Sequence, residues 1–284
     1  MITSWDNLKY WNSGEWQWVQ EKLDELDRAG VLYNPPRHKL FRSMEVIPVT
    51  DVRVAIFGQD PYPDRNLATG IAFSIPEDVD DYPPTLINIF NELAADLAID
   101  TPTHGNLMDW VKQGVFLWNV YPSCANGLPG SHHWGEWEAL TEEIVRELSE
   151  IVGVFVFLGA KARKFTKFIP KERIKGWNGK LADEKIEIPI NQVTVLEYSH
   201  PSPLGVDKGD HPFRGSRMFS TINSHLAKPI DWRLNDGEWF YGWNNKSRSP
   251  VAKENVKEAT AEPYQRVRSV DGHAQPDNAE AVCT

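Results

Sequence analysis

Cysteine and long apolar runs are both scarce in this chain. The two cysteines, Cys124 and Cys283, are far apart, which excludes a disulfide framework and predicts a reducing compartment. Two thiols are also too few for a four-cysteine zinc or iron–sulfur site. The longest apolar run, residues 151–158, is too short to cross a bilayer, and no basic segment followed by an apolar core opens the sequence. We therefore expect a cytoplasmic protein that binds no membrane.

The composition is otherwise that of an ordinary globular protein. Charged residues make up 25% and hydrophobic residues 41% of 284 residues, enough for one large or two small domains. The formal net charge of -10 disfavours bulk electrostatic attraction to nucleic acid. It leaves room for a small local surface that binds phosphates.

Short apolar segments alternate with helical segments along the first 200 residues. The predicted strands are 51–58, 115–118, 153–158 and 193–198. The predicted helices are one that opens at 83–85 and runs to about 97, and two more at 137–148 and 160–168. This alternation predicts an α/β fold of three layers, α/β/α, around a central four-stranded and mostly parallel sheet.

An unusual loop follows each predicted strand. Since parallel strands end at the same edge of a sheet, Asp60, Asn119, Gly159 and His200 are predicted to lie on one rim. In the first loop, Asp60 and Tyr62 are two positions apart, and the proline between them fixes the backbone. Such a stiff loop at the end of a buried strand can direct side chains into a crevice.

The side chains on this rim favour a planar ligand. Tyr62 and Phe73 offer flat faces, and the amide of Asn119 can read an imide edge. His200 can donate a hydrogen bond to a developing oxyanion, and Asp60 can orient a water or stabilise a cation. The small or hydroxyl-bearing residues at 84–85, 159 and 201–202 suit close approach to phosphates.

These motifs together resemble those of a family 1 uracil-DNA glycosylase, in the family's order and at nearly its spacing over residues 1–235. The matching pieces are Gly58-Gln-Asp-Pro-Tyr62, Gly70-Ile-Ala-Phe-Ser74, Pro83-Pro-Thr-Leu86, Trp110-Val-Lys-Gln-Gly-Val115, Asn119, Ser131-His132, Trp137-Glu138, His200-Pro-Ser-Pro-Leu204 and Pro229-Ile-Asp-Trp232. Two long motifs supported by several intermediate matches are specific, whereas one alone would be weak.

The resemblance implies catalytic roles for two residues. Asp60 would position the attacking water and stabilise the oxocarbenium-like sugar, and His200, as a neutral imidazole, would stabilise the leaving uracil anion at O2. The substrate would be bound by four further residues. The backbone amide of Gln59 would bind a uracil oxygen, and Tyr62 would exclude a thymine methyl. Phe73 would stack on the base, and Asn119 would bind its O4/N3 edge.

The resemblance also implies how DNA would be held. Leu204 would enter the duplex as a wedge while the nucleotide is extruded. Pro84, Thr85, Gly159 and Ser202 would grip and bend the phosphate backbone. The implied enzyme is a monofunctional hydrolase of base excision repair, a monomer without a metal or other cofactor. It would act on uracil in single- or double-stranded DNA, with a DNA-mimic inhibitor protein as a candidate partner.

Two other functions remain open from the sequence. One is an enzyme of the same fold that excises another modified pyrimidine, because segments 120–125 and 205–215 depart from the family pattern. The other is a non-catalytic DNA-binding or decoy module, which the presence of Asp60 and His200 disfavours. Several site residues also have a plain structural alternative: Asp60 as a turn former, Tyr62 and Phe73 as core residues, Asn119 as a cap, and His200 as a structural histidine.

Several features lie outside the main motifs. Segment 205–215 is about three residues longer than in the family and adds two aspartates beside the wedge, and Ala160 replaces a common serine. His132 and His133 look like a metal pair, but a structural or surface role is the expectation. Four cations at 161, 163, 164 and 167 are expected on a solvated helix face. We expect a catalytic domain at 1–235, an aromatic extension at 236–245 and a disordered tail at 246–284.

Overall fold

A computed structural model describes residues 2–177 and 192–234. The chain divides into two units, Met1–Trp239 and Phe240–Thr284, and every described residue belongs to the first. The expected aromatic extension at 236–245 and the expected tail at 246–284 lie outside the described residues.

Strands of the described part form two sheets. Their bounds are β1 (Tyr33–Asn34), β2 (Val54–Gly58), β3 (Val115–Asn119), β4 (Cys124–Ala125), β5 (Val154–Leu158), β6 (Ile174–Trp177) and β7 (Val193–Tyr198). β1 and β4 pair antiparallel in a small two-stranded sheet. The other five form one sheet in the order β3-β2-β5-β7-β6, in which every neighbouring pair is parallel.

Helices connect the strands of the main sheet. Their bounds are α1 (Gly14–Arg28), α2 (Arg42–Val46), α3 (Pro84–Leu97), α4 (Met108–Val111), α5 (Gly135–Leu148), α6 (Ala160–Arg163) and α7 (Met218–Ser224). Short 3-10 turns lie at Trp5–Asn7, Lys9–Asn12, Arg37–Lys39, Val49–Asp51, Lys164–Phe168 and Lys171–Arg173. No helix of the described part is long and apolar enough to cross a membrane.

The sheet has one strand more than the four that the sequence predicts. β2, β3, β5 and β7 are the predicted strands, and β7 has the predicted bounds. The fifth strand, β6, is a short edge strand with a bulge between Ile174 and Gly176. β6 has only four residues, of which Lys175 and Gly176 are not apolar, and a bulge interrupts its alternation, so it lacks the apolar pattern of the other four.

Buried aromatic rings hold the centre of the sheet together. The rings of Phe57 on β2 and Phe157 on β5 stack with centroids 5.0 Å apart, in line with the parallel register that pairs these two residues. All five residues of β2 and of β5 are buried, as expected for central strands covered on both faces. The strands are therefore rigid supports for the loops that follow them.

The predicted helix at 84–97 is α3, and it begins with proline at its first position, where a missing N–H has no cost. Its buried face includes a charged residue, Glu92. The carboxylate of Glu92 accepts hydrogen bonds from the backbone amides of Gly215 at 2.6 Å and Arg217 at 2.8 Å. The start of α7 is thereby tied to α3, and the two helices brace the loop between β7 and α7.

Candidate active site

The parallel register brings the predicted rim together. Gly58 at the end of β2 lies level with Asn119 at the end of β3, and Leu158 at the end of β5 lies level with Tyr198 at the end of β7. The loops that begin at residues 59, 120, 159 and 199 therefore leave the sheet at one edge, as the alternation of strands and helices predicts.

Gly58 lies against both the ring of Phe73 and the side-chain amide of Asn119. A Cβ atom at Gly58 would lie 2.7 Å from Cζ of Phe73 and 2.8 Å from Oδ1 of Asn119. Any side chain at position 58 would therefore displace one of these two groups. The structure brings Phe73 and Asn119 together, as the sequence predicts, and shows that the glycine between them is a requirement of the site.

Tyr62 holds the segment that carries Phe73. Its Oη donates a hydrogen bond of 3.0 Å to the backbone oxygen of Phe73. Burial raises the pKa of Tyr62 well above its usual range, so the phenol stays protonated and keeps this donor. Phe73 itself has a φ of 66°, in the left-handed region that a phenylalanine rarely adopts. The Tyr62 hydrogen bond is one of the contacts that hold this strained backbone in place.

The carboxylate of Asp60 is held from both sides. Its Oδ1 accepts from the side-chain amide of Gln59 at 3.0 Å, and its Oδ2 accepts from the backbone N–H of Gly130 at 2.5 Å. Burial raises the pKa of Asp60, while the hydrogen bonds from Gly130 and Gln59 and the nearby His133 and Lys161 oppose that rise. The result is a fixed, partly desolvated carboxylate that can accept a proton or face a cation.

Gly130 is a site residue that the sequence analysis missed. The contact comes from a turn about seventy residues after Asp60 in the sequence, so the motif around Asp60 does not point to it. Gly127 and Gly130 both have positive φ, at 78° and 77°. A pair of glycines three positions apart in a loop is the signal that could have indicated a tight turn of this kind.

His200 carries a half-buried, neutral imidazole, one donor of which has no partner within the described part of the chain. Burial lowers its pKa to about 4. The backbone N–H of Ser202 donates to its Nδ1 at 3.1 Å, so the proton of the neutral ring resides on Nε2. Its ring centroid lies 6.3 Å from that of Phe73. A Cβ atom at Gly159 would lie 3.0 Å from Cβ of His200, so this predicted site residue is also in place.

The loop after His200 presents Leu204 to solvent on a tight, braced turn. The side chain of Leu204 is 80% exposed, the most exposed of the large hydrophobic residues in the described part. The backbone N–H of Gly205 donates to the oxygen of Ser202 at 2.9 Å, and Asn88 of α3 donates to the oxygen of Pro201 at 2.8 Å. The helix that begins with the predicted phosphate contacts Pro84 and Thr85 thus braces the predicted wedge.

Comparison with known proteins agrees with this geometry. The family model described as "Uracil DNA glycosylase superfamily" matches residues 44–227. This chain belongs to the uracil DNA glycosylase superfamily. Among curated relatives, the uracil-DNA glycosylase of Campylobacter concisus is 36% identical, covering 76% of this chain and 86% of its own. That of Enterococcus faecalis is 35% identical, covering 81% of this chain and 95% of its own.

Solved structures of the superfamily share the fold. Mimivirus uracil-DNA glycosylase matches with a TM-score of 0.66 and 25% identity, covering 82% of this chain and 95% of its own. A variant of mimivirus UNG in complex with UGI matches with a TM-score of 0.67 and 27% identity, covering 81% and 87%. The resemblance and the α/β fold class that the sequence predicts are both confirmed.

The loop at 205–215 folds back on the end of β7. The backbone N–H of Ser199 donates to the oxygen of His211 at 2.8 Å, and the hydroxyl of Ser199 accepts from the N–H of Phe213 at 2.9 Å. Asp207 of this loop pairs with Arg214 at 2.6 Å. This exposed pair contributes little stability, but it offsets one negative charge beside Leu204.

The neighbouring histidines have separate surroundings. His132 is buried, its Nδ1 lies 2.9 Å from the hydroxyl of Ser123, and its ring stacks on Trp134 with centroids 4.2 Å apart. The expected structural role of His132 is thus supported. In residues 2–177 and 192–234, no cluster of three histidine, cysteine or acidic residues is suited to hold a metal ion. Of the four cations at 161–167, Lys161 is half-buried and the others are exposed.

We expect the folded state to lose stability as the pH falls from 6.5 to about 4. Burial lowers the pKa of both His132 and His200 to about 4, so in this window the unfolded chain binds protons that the folded chain does not. Each histidine makes the free energy of unfolding fall by about 1.4 kcal/mol per pH unit. Urea denaturation at several pH values measures the slope, and His132→Phe should reduce it. A slope that is flat over this range would contradict the burial of both rings.

Proposed function

We propose that this protein is a family 1 uracil-DNA glycosylase that hydrolyses the N-glycosidic bond of uracil flipped out of DNA and leaves an abasic site. The observation that carries the proposal is the neutral imidazole of His200, with its Nε2 proton free, beside the ring of Phe73. Phe73 in turn meets the amide of Asn119 over Gly58. One rim thus carries a ring that can stack on a base, an amide that can bind an imide edge, and a donor to a developing oxyanion. This combination suits a pyrimidine that leaves as an anion.

In the proposed reaction, Phe73 stacks on the flipped base and Asn119 pairs with its O4/N3 edge. The backbone amide of Gln59 binds a uracil oxygen. His200 donates a hydrogen bond to O2 while the bond from N1 to the sugar breaks and its electron pair moves onto the base. Asp60 stabilises the positive charge on the sugar and accepts a proton from the water that attacks it.

The proposed DNA surface surrounds this rim. Leu204 replaces the flipped nucleotide in the stack, and its exposure on a braced turn suits a wedge. Pro84, Thr85, Gly159 and Ser202 contact the phosphate backbone. Extruding a base requires a few kcal/mol, and least at a weak pair such as U·G.

The remaining properties follow from the same proposal. The enzyme works as a cytoplasmic monomer without a cofactor, on single- or double-stranded DNA. A mimivirus relative is described in complex with UGI. Since a DNA-mimic inhibitor presents the charge pattern of DNA, such an inhibitor is a candidate partner for the same rim.

The test is base release from matched oligonucleotides that contain U·G, U·A, single-stranded U, T·G or 5-hydroxymethyl-U·A. Alkaline cleavage reveals the abasic sites. Release of uracil alone supports the proposal. Preferential release of 5-hydroxymethyluracil would favour a glycosylase for another modified pyrimidine, and DNA binding without any release would favour a non-catalytic module.

Tyr62→Ala is expected to add thymine release from T·G substrates. The variant removes the ring that would exclude the C5 methyl. The loose apolar pocket that is left would discriminate uracil from thymine by only about 1–3 kcal/mol. Tyr62→Phe is the matched control, since it removes only the hydroxyl that donates to Phe73 and keeps the ring. The measurement is the ratio of uracil to thymine release. If Tyr62→Ala released no thymine while still releasing uracil, the ring would not control access at C5.

A further inference from the structure

We propose that His133 is a positioning residue for the Asp60 carboxylate, acting through the turn that carries Gly130. The proposal rests on the proposed function of Asp60 and adds a residue outside the motifs shared with the family. His133 follows the buried, structurally bound His132 and lies on the loop between β4 and α5.

The ring of His133 packs against two residues that are each connected to Asp60. It stacks on Tyr121, with centroids 4.0 Å apart and an interplanar angle of 29°. The backbone N–H of Tyr121 donates at 3.0 Å to the oxygen of Gln59, the residue before Asp60. The ring also lies close to Gly130, where a Cβ atom would be 3.1 Å from Cε1 and 3.4 Å from Nε2 of His133.

The Gly130 contact explains why this packing affects Asp60. Gly130 donates its backbone N–H to Oδ2 of Asp60 at 2.5 Å. A hydrogen bond to a buried carboxylate depends strongly on geometry, and the turn that carries this donor has positive φ at Gly130. The ring of His133 abuts this turn at the donor residue, so the ring limits how far the N–H can move from the carboxylate.

Burial lowers the pKa of His133, and Lys161 and Lys164 lower it further, while Asp60 and Glu138 raise it. Within the described part of the chain, Nε2 of His133 is buried and has no hydrogen-bond partner. The ring therefore acts on the turn by packing against Gly130 and not through a hydrogen bond from Nε2.

The experiment measures the Asp60 carboxyl directly, by carbon-13 NMR titration of the full chain, together with kcat and KM for uracil release. In His133→Ala the Gly130 donor loosens. Because that donor lowers the pKa of Asp60, the titration is expected to move to higher pH. We expect kcat to fall by about 10-fold to 100-fold at nearly constant KM. In His133→Phe, which keeps a ring against Tyr121 and Gly130, both quantities should return most of the way to wild type. Loss of the His133 charge alone would shift the titration equally in His133→Ala and His133→Phe, so the phenylalanine variant separates packing from charge.

His225→Ala is the matched control. His225 is also partly buried with an unpaired Nε2, but its Nδ1 lies 3.5 Å from Thr194, near the start of β7 and away from the rim. The His225→Ala variant should leave the Asp60 titration unchanged. An unmoved titration in His133→Ala, an equal shift in His225→Ala, or no recovery in His133→Phe would overturn the proposal. Should His133→Ala fail to fold, His133→Leu retains volume without a planar ring and must show the same shift.

The titration is independent of base release, so the two proposals can fail separately. A wild-type protein that releases no uracil while the titration shifts as expected would overturn the proposed function alone. Uracil release by the wild type with an unmoved titration in His133→Ala would overturn the role of His133 alone.

Discussion

Asp60→Asn is expected to lower the rate of uracil release by about 10²–10⁴-fold while DNA binding changes little. Asparagine has nearly the size of aspartate, and its side-chain oxygen can still accept from Gly130 or Gln59. The variant therefore keeps the shape of the site but removes the negative charge that faces the sugar cation and the base that accepts the proton of water. Single-turnover kinetics with excess enzyme separate this chemical step from binding.

The control for Asp60→Asn is Asp64→Asn, four positions later on the same loop. Asp64 is exposed, and its carboxylate accepts from the backbone N–H of Asn66 at 2.8 Å, which asparagine can also do. We expect this control to release uracil at the wild-type rate. Unchanged turnover in Asp60→Asn, or an equal loss in Asp64→Asn, would remove Asp60 from the mechanism.

His200→Ala is expected to lower the rate of uracil release by about 10²–10³-fold, the usual effect of removing one oxyanion donor. His200→Gln should recover part of this loss, because a side-chain amide is also a neutral donor. The loss should fall on kcat, since the hydrogen bond to O2 strengthens as the base becomes an anion. Comparison of kcat and KM for both variants measures it, with the exposed His211→Ala as the control.

The pH profile distinguishes a neutral from a charged His200. With a pKa of about 4, the ring is neutral from about pH 5 upward, so its contribution should stay constant as the pH rises through 6.5. The ratio of wild-type to His200→Ala rates should therefore be flat above pH 5. A ratio that declines as the pH rises through 6.5 would show that the imidazolium is the active form.

The sheet and its rim could be predicted because they depend on local patterns. Strands β2, β3, β5 and β7 are rich in buried apolar residues, typical of parallel strands, and each ends at or just before a polar or glycine residue. Parallel strands place such ends at one edge whatever the details of packing. For this reason the amino-acid sequence alone is enough to group Asp60, Asn119, Gly159 and His200 on one rim.

The contacts that tune the site could not be predicted in the same way. The donor to Asp60 is a backbone N–H, which every residue except proline carries, so the sequence can indicate a tight turn at Gly130 but not that the turn contacts Asp60. Asn88 lies on a helix and contacts Pro201 more than a hundred positions later. The edge strand β6 has too few apolar residues to show a pattern. Such features depend on tertiary packing.

The backbone of Phe73 has a consequence for attempts to make this protein more heat-resistant. At a φ of 66°, glycine or asparagine suits the backbone better than phenylalanine, so either replacement relieves local strain. The ring is buried in the core, however, and its removal costs more stability than the relief of strain returns. It also removes the aromatic face beside His200 and Asn119. Stabilising substitutions are therefore better sought far from the rim.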